Sequence, residues 1–160
     1  RDWQTLEGLA ANEDLPWFEN KQTLSDLSTA YLPLELVEGI AQKLIAYLVE
    51  SRGLDPEIEF ELYDSAQINV MRQGSFIGRH YDGAIKDGEP EPFVFLLGLN
   101  SDYKGGEFLT YRGESSLVES SSKLVERSLL ILNQSEYHSV NEVREGDRIS
   151  IVIRVAPKSL

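Results

Sequence analysis

The spacing of apolar residues changes once along this chain, at Asp55-Pro56, and that change limits what the chain can fold into. Before it, Val37, Ile40, Ala41, Leu44, Ile45 and Leu48 fall at i, i+3, i+4, i+7, i+8 and i+11, one apolar stripe on a helix. The helix is predicted from about 34 to 51, with Pro33 suited to its first turn and Gly53 to its C-terminal cap. After it, the period is that of strands, expected at 57–62, 67–72, 77–81, 92–99, 107–111, 123–125, 128–132, 137–143 and 148–155. Turn signals separate them, among them Gly74-Ser75, Asp87-Gly88, Gly105-Gly106, Arg112-Gly113 and Glu145-Gly146-Asp147. Residues 1–30 have no clean period and read as a partly ordered arm with one short helix. Ser115, Ser116 and Ser120–Ser122 read as an exposed hairpin or loop.

A helix followed by eight or nine short strands predicts a mainly β chain with helical cover, an α+β sandwich or jelly roll. With 160 residues, 41% of them hydrophobic, the chain suits one domain and one core. Its helical part is expected over about 1–55 and its β core over about 57–156. The absence of Cys excludes disulfide scaffolds, thiolate metal sites and cysteine nucleophiles. No apolar run approaches the ~18–20 residues of a membrane span, and nothing at the start resembles a signal peptide, so a cytoplasmic location without membrane partners is expected. The chain opens on Arg1, which reads as a piece trimmed from something longer. Fifteen basic residues against 27 acidic give a net charge of −12. Nucleic-acid binders neutralise phosphates with a basic footprint, so such a partner is disfavoured. Any anionic cosubstrate would need a buried cation to hold it.

Two strands are informative. Residues 93–99 are apolar on both faces, which predicts a central strand covered on each side. On the last strand Ile149, Ile151, Ile153 and Val155 share one face, expected to pack under the helix, and Arg148, Ser150, Val152 and Arg154 share the other.

The chain has two histidines, His80 and His138. In His80-Tyr81-Asp82 an extended backbone would point the imidazole and the carboxylate the same way. A third ligand from a distant strand, for which His138 is the available histidine, would complete a facial set of two His and one carboxylate. That set leaves three positions open on an octahedral metal, as in non-haem Fe(II) oxygenases. A zinc hydrolase fits less well, because the spacing is not that of a helical zinc motif. A lone His-x-Asp is a weak signal, but residues downstream of His138 strengthen it. Arg148 lies ten residues beyond His138, and Ser150 shares its strand face. A guanidinium fork matches a carboxylate, a hydroxyl adds a hydrogen bond, and an arginine inside a barrel needs an anion.

Here the sequence resembles a known family, the Fe(II)- and 2-oxoglutarate-dependent dioxygenases, in their prolyl-4-hydroxylase-like branch. Ile68-Asn69-Val70-Met71-Arg72-Gln73-Gly74 with His80-Tyr81-Asp82 resembles the first metal-binding segment. Leu96–Asn100 followed by Asp102-Tyr103-Lys104-Gly105-Gly106-Glu107-Phe108 resembles an "LN…GGE" segment, and His138-Ser139-Val140 through Gly146-Asp147-Arg148-Ile149-Ser150 the closing "H-x-V…G-x-R-x-S" segment. The resemblance covers about residues 58–156.

It implies a double-stranded β-helix, the jelly roll of that superfamily. It implies that His80, Asp82 and His138 bind Fe(II), and that Arg148 with Ser150 holds the far carboxylate of 2-oxoglutarate. The activity implied is a hydroxylase that couples decarboxylation of 2-oxoglutarate, with O2 and with ascorbate as reductant, to oxidation of an unactivated C–H bond, giving succinate and CO2. Asp82 favours hydroxylation over halogenation, because halogenating relatives lose that carboxylate. Met71 stands where many relatives have Tyr, so one cosubstrate hydrogen bond is missing or comes from elsewhere. Asn69 and the Arg148…Arg154 pair are also similar to the AlkB-like nucleic-acid dealkylases, in which equivalent residues help hold 2-oxoglutarate. The acidic charge and Gly105-Gly106-Glu107 favour the hydroxylase. A metal-retaining jelly-roll binding module is the non-enzymatic alternative. The expected substrate is a peptide or prolyl residue, an amino acid or a small molecule, neutral or cationic. Oligomeric state is not readable. Tyr103, Tyr111 and Tyr137 read as packing residues. Residues 83–92, with Asp87, Glu89 and Glu91, read as a negatively charged loop at the mouth of the site, either a solvated connector or a device that favours neutral or cationic substrates.

Overall fold

Thirteen strands and two helices are present in the computed structural model, which describes residues 2–21, 27–62, 65–83 and 91–158. In chain order they are α1 (Asp2–Ala10), β1 (Phe18–Asn20), β2 (Leu27–Tyr31), α2 (Leu34–Arg52), β3 (Phe60–Leu62), β4 (Gln67–Met71), β5 (Ile77–His80), β6 (Phe93–Gly98), β7 (Lys104–Gly105), β8 (Phe108–Tyr111), β9 (Val118–Ser122), β10 (Leu129–Asn133), β11 (His138–Val140), β12 (Val143–Glu145) and β13 (Arg148–Pro157). A large sheet runs β1-β2-β4-β13-β6-β10, with β3 also paired to β13. A smaller one runs β5-β11-β8-β9, and β12 with β7 forms a third, two-stranded piece. Every pairing is antiparallel.

The predicted helix is α2. Gly53 closes it with φ 62, a left-handed cap that a side chain would strain, and its N–H returns to the Val49 carbonyl. Pro33 sits just outside, at the N-cap position with ψ 134. The apolar face of α2 (Val37, Ile40, Ala41, Ile45, Leu48) packs with Ile68, Phe93, Phe95, Leu97, Ile151, Ile153 and Val155 in one cluster. Burying each such aliphatic side chain contributes about 1.5–3 kcal/mol. The Ile face of β13 therefore lies under the helix as expected, and all six residues of β6 are buried. The other face of the large sheet meets the small sheet across a second cluster: Leu27, Met71, Val94, Leu96, Leu132 and Val152 against Phe108 and Val140, with Val143 of β12 beside them.

Four expectations need correction. The arm of residues 1–30 holds more than a helix: β1 and β2 extend the large sheet, and β2 has four of its five residues buried. Its Ser28, Thr29 and Ala30 are too small and polar to signal a core strand; pairing with β4 buries them. The strand expected at 123–125 is instead β9, inside the serine cluster, where Ser120–Ser122 pair with Thr110, Leu109 and Phe108. Leu124, 1% exposed, is a plug held by its carbonyl, which accepts from the Tyr103 hydroxyl at 2.6 Å. The strand expected at 137–143 divides at Asn141-Glu142 into β11 and β12, which join different sheets. Residues 57–59 do not join β3.

Gly98 shows how closely the segment after the plug crosses the sheet. Its N–H donates to the Ser128 carbonyl and its carbonyl accepts from the Arg127 N–H, both at 2.9 Å. A Cβ at Gly98 would overlap the Val125 carbonyl oxygen, a backbone atom that cannot swing aside. Gly98→Ala should therefore destabilise the fold by about 1–3 kcal/mol, the usual range for overpacking. Denaturant unfolding checks this, and an unchanged midpoint would show that the crossing relaxes freely.

Candidate metal and cosubstrate site

The site lies between the two sheets. His80 closes β5 and His138 opens β11, and the two are direct cross-strand partners, so their side chains share the inner face. Their rings are 4.3 Å apart at 59°. Asp82 lies two residues past His80, where its N–H and that of Gly83 both donate to the Gln134 carbonyl, at 3.0 and 3.2 Å. A side chain at Gly83 would displace the end of the Gln134 side chain. Phe108 stacks on the His138 ring at 5.5 Å and 23°.

The donor atoms suit a cation. His80 Nδ1 is 2.7 Å from the Gly78 carbonyl, and His138 Nδ1 is 2.9 Å from the Glu136 carbonyl. A carbonyl only accepts, so each Nδ1 carries a proton, and in the neutral ring each Nε2 is left with its lone pair. Both Nε2 atoms face Asp82, at 3.6 Å from Oδ1 and 3.9 Å from Oδ2, wider than hydrogen bonds. One atom from each residue falls within 4.8 Å of the others. Two imidazoles and one carboxylate, left short of bonding each other, are a group that could hold a divalent transition metal.

Protonation follows from the surroundings. Burial pulls the His80 pKa down, but the Asp82 carboxylate and the Gly78 carbonyl outweigh it and hold the pKa above the ordinary 6.5. Burial dominates at His138 and pushes it below 6.5. Burial would raise Asp82, but His80, His138 and Arg154 together hold it below the usual 3.8. A metal competes with protons for both Nε2 atoms. Fe(II) affinity should therefore start to fall as the pH drops through the raised His80 value, with log Kd rising by about one per pH unit, and fall more steeply once His138 protonates. Anaerobic Fe(II) titrations between about pH 8 and about pH 5 read this directly. Affinity constant over that interval would remove the imidazoles from the ligand set.

Arg148 opens β13 and is 3% exposed. Its Nη1 lies 3.7 Å from the Met71 sulfur, its Nε has no partner, and it makes no ion pair among the described residues. Burial lowers its pKa. An unpaired guanidinium at this depth is costly, and an incoming carboxylate relieves that cost. Ser150, also 3% exposed, follows on the same face and pairs in register with Asn69. Asn69 is held by its Oδ1, which accepts from the Thr29 hydroxyl at 2.9 Å. Arg154 lies further along β13, and its Nη2 is 3.9 Å from Asp82 Oδ1. The carboxylate beside Arg154 is thus Asp82 itself. Along one strand face, Arg148 and Ser150 stand with Asn69 at one end, and Arg154 reaches the His-Asp-His group at the other.

Sequence reasoning missed Thr29, Gln134 and Phe108, which hold Asn69, Asp82 and His138 in place. No local pattern marks these three, because each meets its partner only through strand pairing or packing across the sheets. Of the tyrosines, Tyr111 bonds Ser139 Oγ at 2.7 Å and Tyr137 packs on Tyr81 at 4.9 Å. Residues 84–90 of the acidic loop, with Asp87 and Glu89, lie outside the described residues.

The fold and the donor set together define a double-stranded β-helix with a facial His-Asp-His group between its sheets. Residues 66–154 match the 2OG-Fe(II) oxygenase superfamily, and the chain belongs to it. Its cofactors are accordingly Fe(II) and 2-oxoglutarate, which the three donors and the unpaired buried guanidinium fit. A PKHD-type hydroxylase of Idiomarina loihiensis is 32% identical over 87 residues, 53% of this chain. The chain spans 38% of that relative's length. A 2OG-Fe(II) oxygenase-family oxidoreductase from Burkholderia pseudomallei superposes with a TM-score of 0.73 at 20% identity, over 95% of this chain and 78% of that one. A Pseudomonas putida prolyl-4-hydroxylase does so with a TM-score of 0.72 at 15% identity, over 98% and 88%. At such identities these likenesses bear on the fold. No helix among the described residues is long and apolar enough to cross a membrane.

Proposed function

We propose that this chain is a 2-oxoglutarate-dependent hydroxylase that inserts oxygen into an unactivated C–H bond of a peptidyl (prolyl), amino-acid or small-molecule substrate. The observation that carries this reading is the pairing of two half-sites across the barrel. One is a neutral-imidazole and carboxylate set on the small sheet; the other is a buried, unneutralised arginine on the large one. In this reading His80, Asp82 and His138 hold Fe(II), and Arg148 with Ser150 takes the distal carboxylate of 2-oxoglutarate. Asn69 and Arg154 line the wall between them. Iron and 2-oxoglutarate held by these residues would supply the oxidising power, through O2-dependent decarboxylation of the 2-oxo acid to succinate and CO2.

The protein's own contribution is placement. The Gly78 and Glu136 carbonyls fix both imidazoles in the metal-binding tautomer. The Gln134 carbonyl fixes the backbone of Asp82, and Arg154 adds positive charge beside its carboxylate. The apolar wall of Phe108, Val140, Leu96 and Val152 excludes water from the interior. The relatives named as PKHD-type and prolyl-4-hydroxylases support a prolyl or peptidyl substrate. The net charge of −12 argues against an AlkB-like dealkylase on polyanionic nucleic acid and suits a neutral or cationic substrate.

The test is succinate formation by the Fe(II)-loaded protein with ascorbate, screened across proline-containing peptides, free amino acids and small metabolites. Substrate-stimulated succinate release supports the reading. Fe(II) and 2-oxoglutarate binding without succinate release under any condition would leave a binding module instead.

A further inference from the structure

The buried arginine is oriented without being neutralised, and the residues that do this include one that the sequence alone presents as packing. Tyr103 is 4% exposed and lies between β6 and β7. Its hydroxyl donates to the Leu124 carbonyl at 2.6 Å, which uses its single proton and leaves the oxygen lone pairs to accept. The Tyr103 ring and the Arg148 side chain flank Gly106: a Cβ there would lie 3.0 Å from Arg148 Cδ and 3.2 Å from Tyr103 Cε2. Gly106 has φ 64 and no side chain, so the ring and the guanidinium stem can close on the same point. The phenol oxygen favours the charged guanidinium, and burial keeps the phenol itself protonated by raising its pKa. On the other side, Met71, fully buried, presents its sulfur to Nη1 at 3.7 Å.

We propose that Tyr103 is a positioning residue that, with Met71, aims the Arg148 fork at the distal carboxylate of the cosubstrate through a neutral acceptor. The proposal rests on the assignment of Arg148 above and goes beyond it. A carboxylate partner would orient Arg148 equally well, but 2-oxoglutarate would then have to displace it. A phenol oxygen and a thioether carry no net charge, so the guanidinium keeps its full attraction for an anion. The same arrangement accounts for Met71 at a position where a donor hydroxyl would have contacted the carboxylate directly. The hydroxyl comes instead from Tyr103 and acts through the arginine.

Tyr103→Phe removes only the hydroxyl. Binding is read by anaerobic titration of the Fe(II) protein with two ligands: 2-oxoglutarate, and 2-oxobutanoate, which has the same 2-oxo acid head but no distal carboxylate. The variant should bind 2-oxoglutarate roughly tenfold more weakly, the loss expected for one hydrogen bond to a charged group. It should bind 2-oxobutanoate as the parent does, and the tenfold loss should vanish when the same substitution is made in Arg148→Ala. Equal weakening for both ligands, or the same loss in both backgrounds, would mean that the hydroxyl merely supports the fold. No weakening for either ligand would also overturn the proposal. If Arg148→Ala itself leaves 2-oxoglutarate binding unchanged, it is the assignment of Arg148 that fails.

Discussion

Replacing Asp82 and His138 together by Ala should abolish Fe(II) binding and, with it, all succinate formation. The double variant leaves a single imidazole, because the other two donors of the group are gone. Even residues that only orient a metal ligand cost roughly 10–100-fold in affinity when removed, so loss of two ligands should exceed about 10³-fold. The measurement is the weak visible charge-transfer band expected when 2-oxoglutarate is added anaerobically to the Fe(II) protein. A band of undiminished strength in the double variant would falsify the ligand assignment. The fold should survive, since Asp82 lies just past β5, His138 is on the three-residue β11, and neither is part of the two apolar clusters. A thermal melt of the metal-free variant controls for this.

Arg148→Ala should weaken 2-oxoglutarate binding by on the order of 10²-fold or more while leaving Fe(II) affinity nearly intact. The separation follows from placement. Arg148 stands with Met71, Ser150 and Tyr103, whereas Arg154 is the arginine that touches the carboxylate of the metal group. A band titrated with 2-oxoglutarate in the variant gives the affinity, and Fe(II) titration gives the control. Unchanged 2-oxoglutarate binding in Arg148→Ala, together with collapse in Arg154→Ala, would transfer the anchoring role to Arg154.

Much of this arrangement is legible in the sequence because it depends on period and spacing. The α2 stripe, the doubly covered β6 and the two-faced β13 follow from residues that repeat in the pattern of their structure. His80 with Asp82 and Arg148 with Ser150 are two-residue alternations, which any strand projects onto one face. The features that are not legible depend on long-range pairing. β2 is a buried strand whose sequence, Leu-Ser-Thr-Ala-Tyr, looks like a solvated turn until Thr29 meets Asn69. β9 consists of exposed residues and exists because β8 offers it a ladder, whereas the apolar Leu124 beside it is consumed as a plug. The division of 137–143 into two strands reflects a change of partner at Asn141-Glu142, which no local pattern announces. Tyr103 reads as packing because its ring does pack; the acceptor role of its oxygen depends on the Leu124 carbonyl, twenty-one residues away.

The ten residues of β13 pair with β4, β6 and β3, bury isoleucines on one side and carry Arg148, Ser150 and Arg154 on the other. Both histidines, by contrast, sit on strands of four and three residues whose mutual register is interrupted between His138 and Val140. Amide protons in the two walls should accordingly exchange with solvent through different openings: those of β13 at the rate of whole-molecule unfolding, those of β11 through smaller excursions of lower free energy. Occupancy by a metal on the soft wall and an anion on the stiff one would tie these openings together. The cofactors of such a protein would thus serve also as its clasp, and losing either would loosen the histidine strands well before the arginine strand gave way.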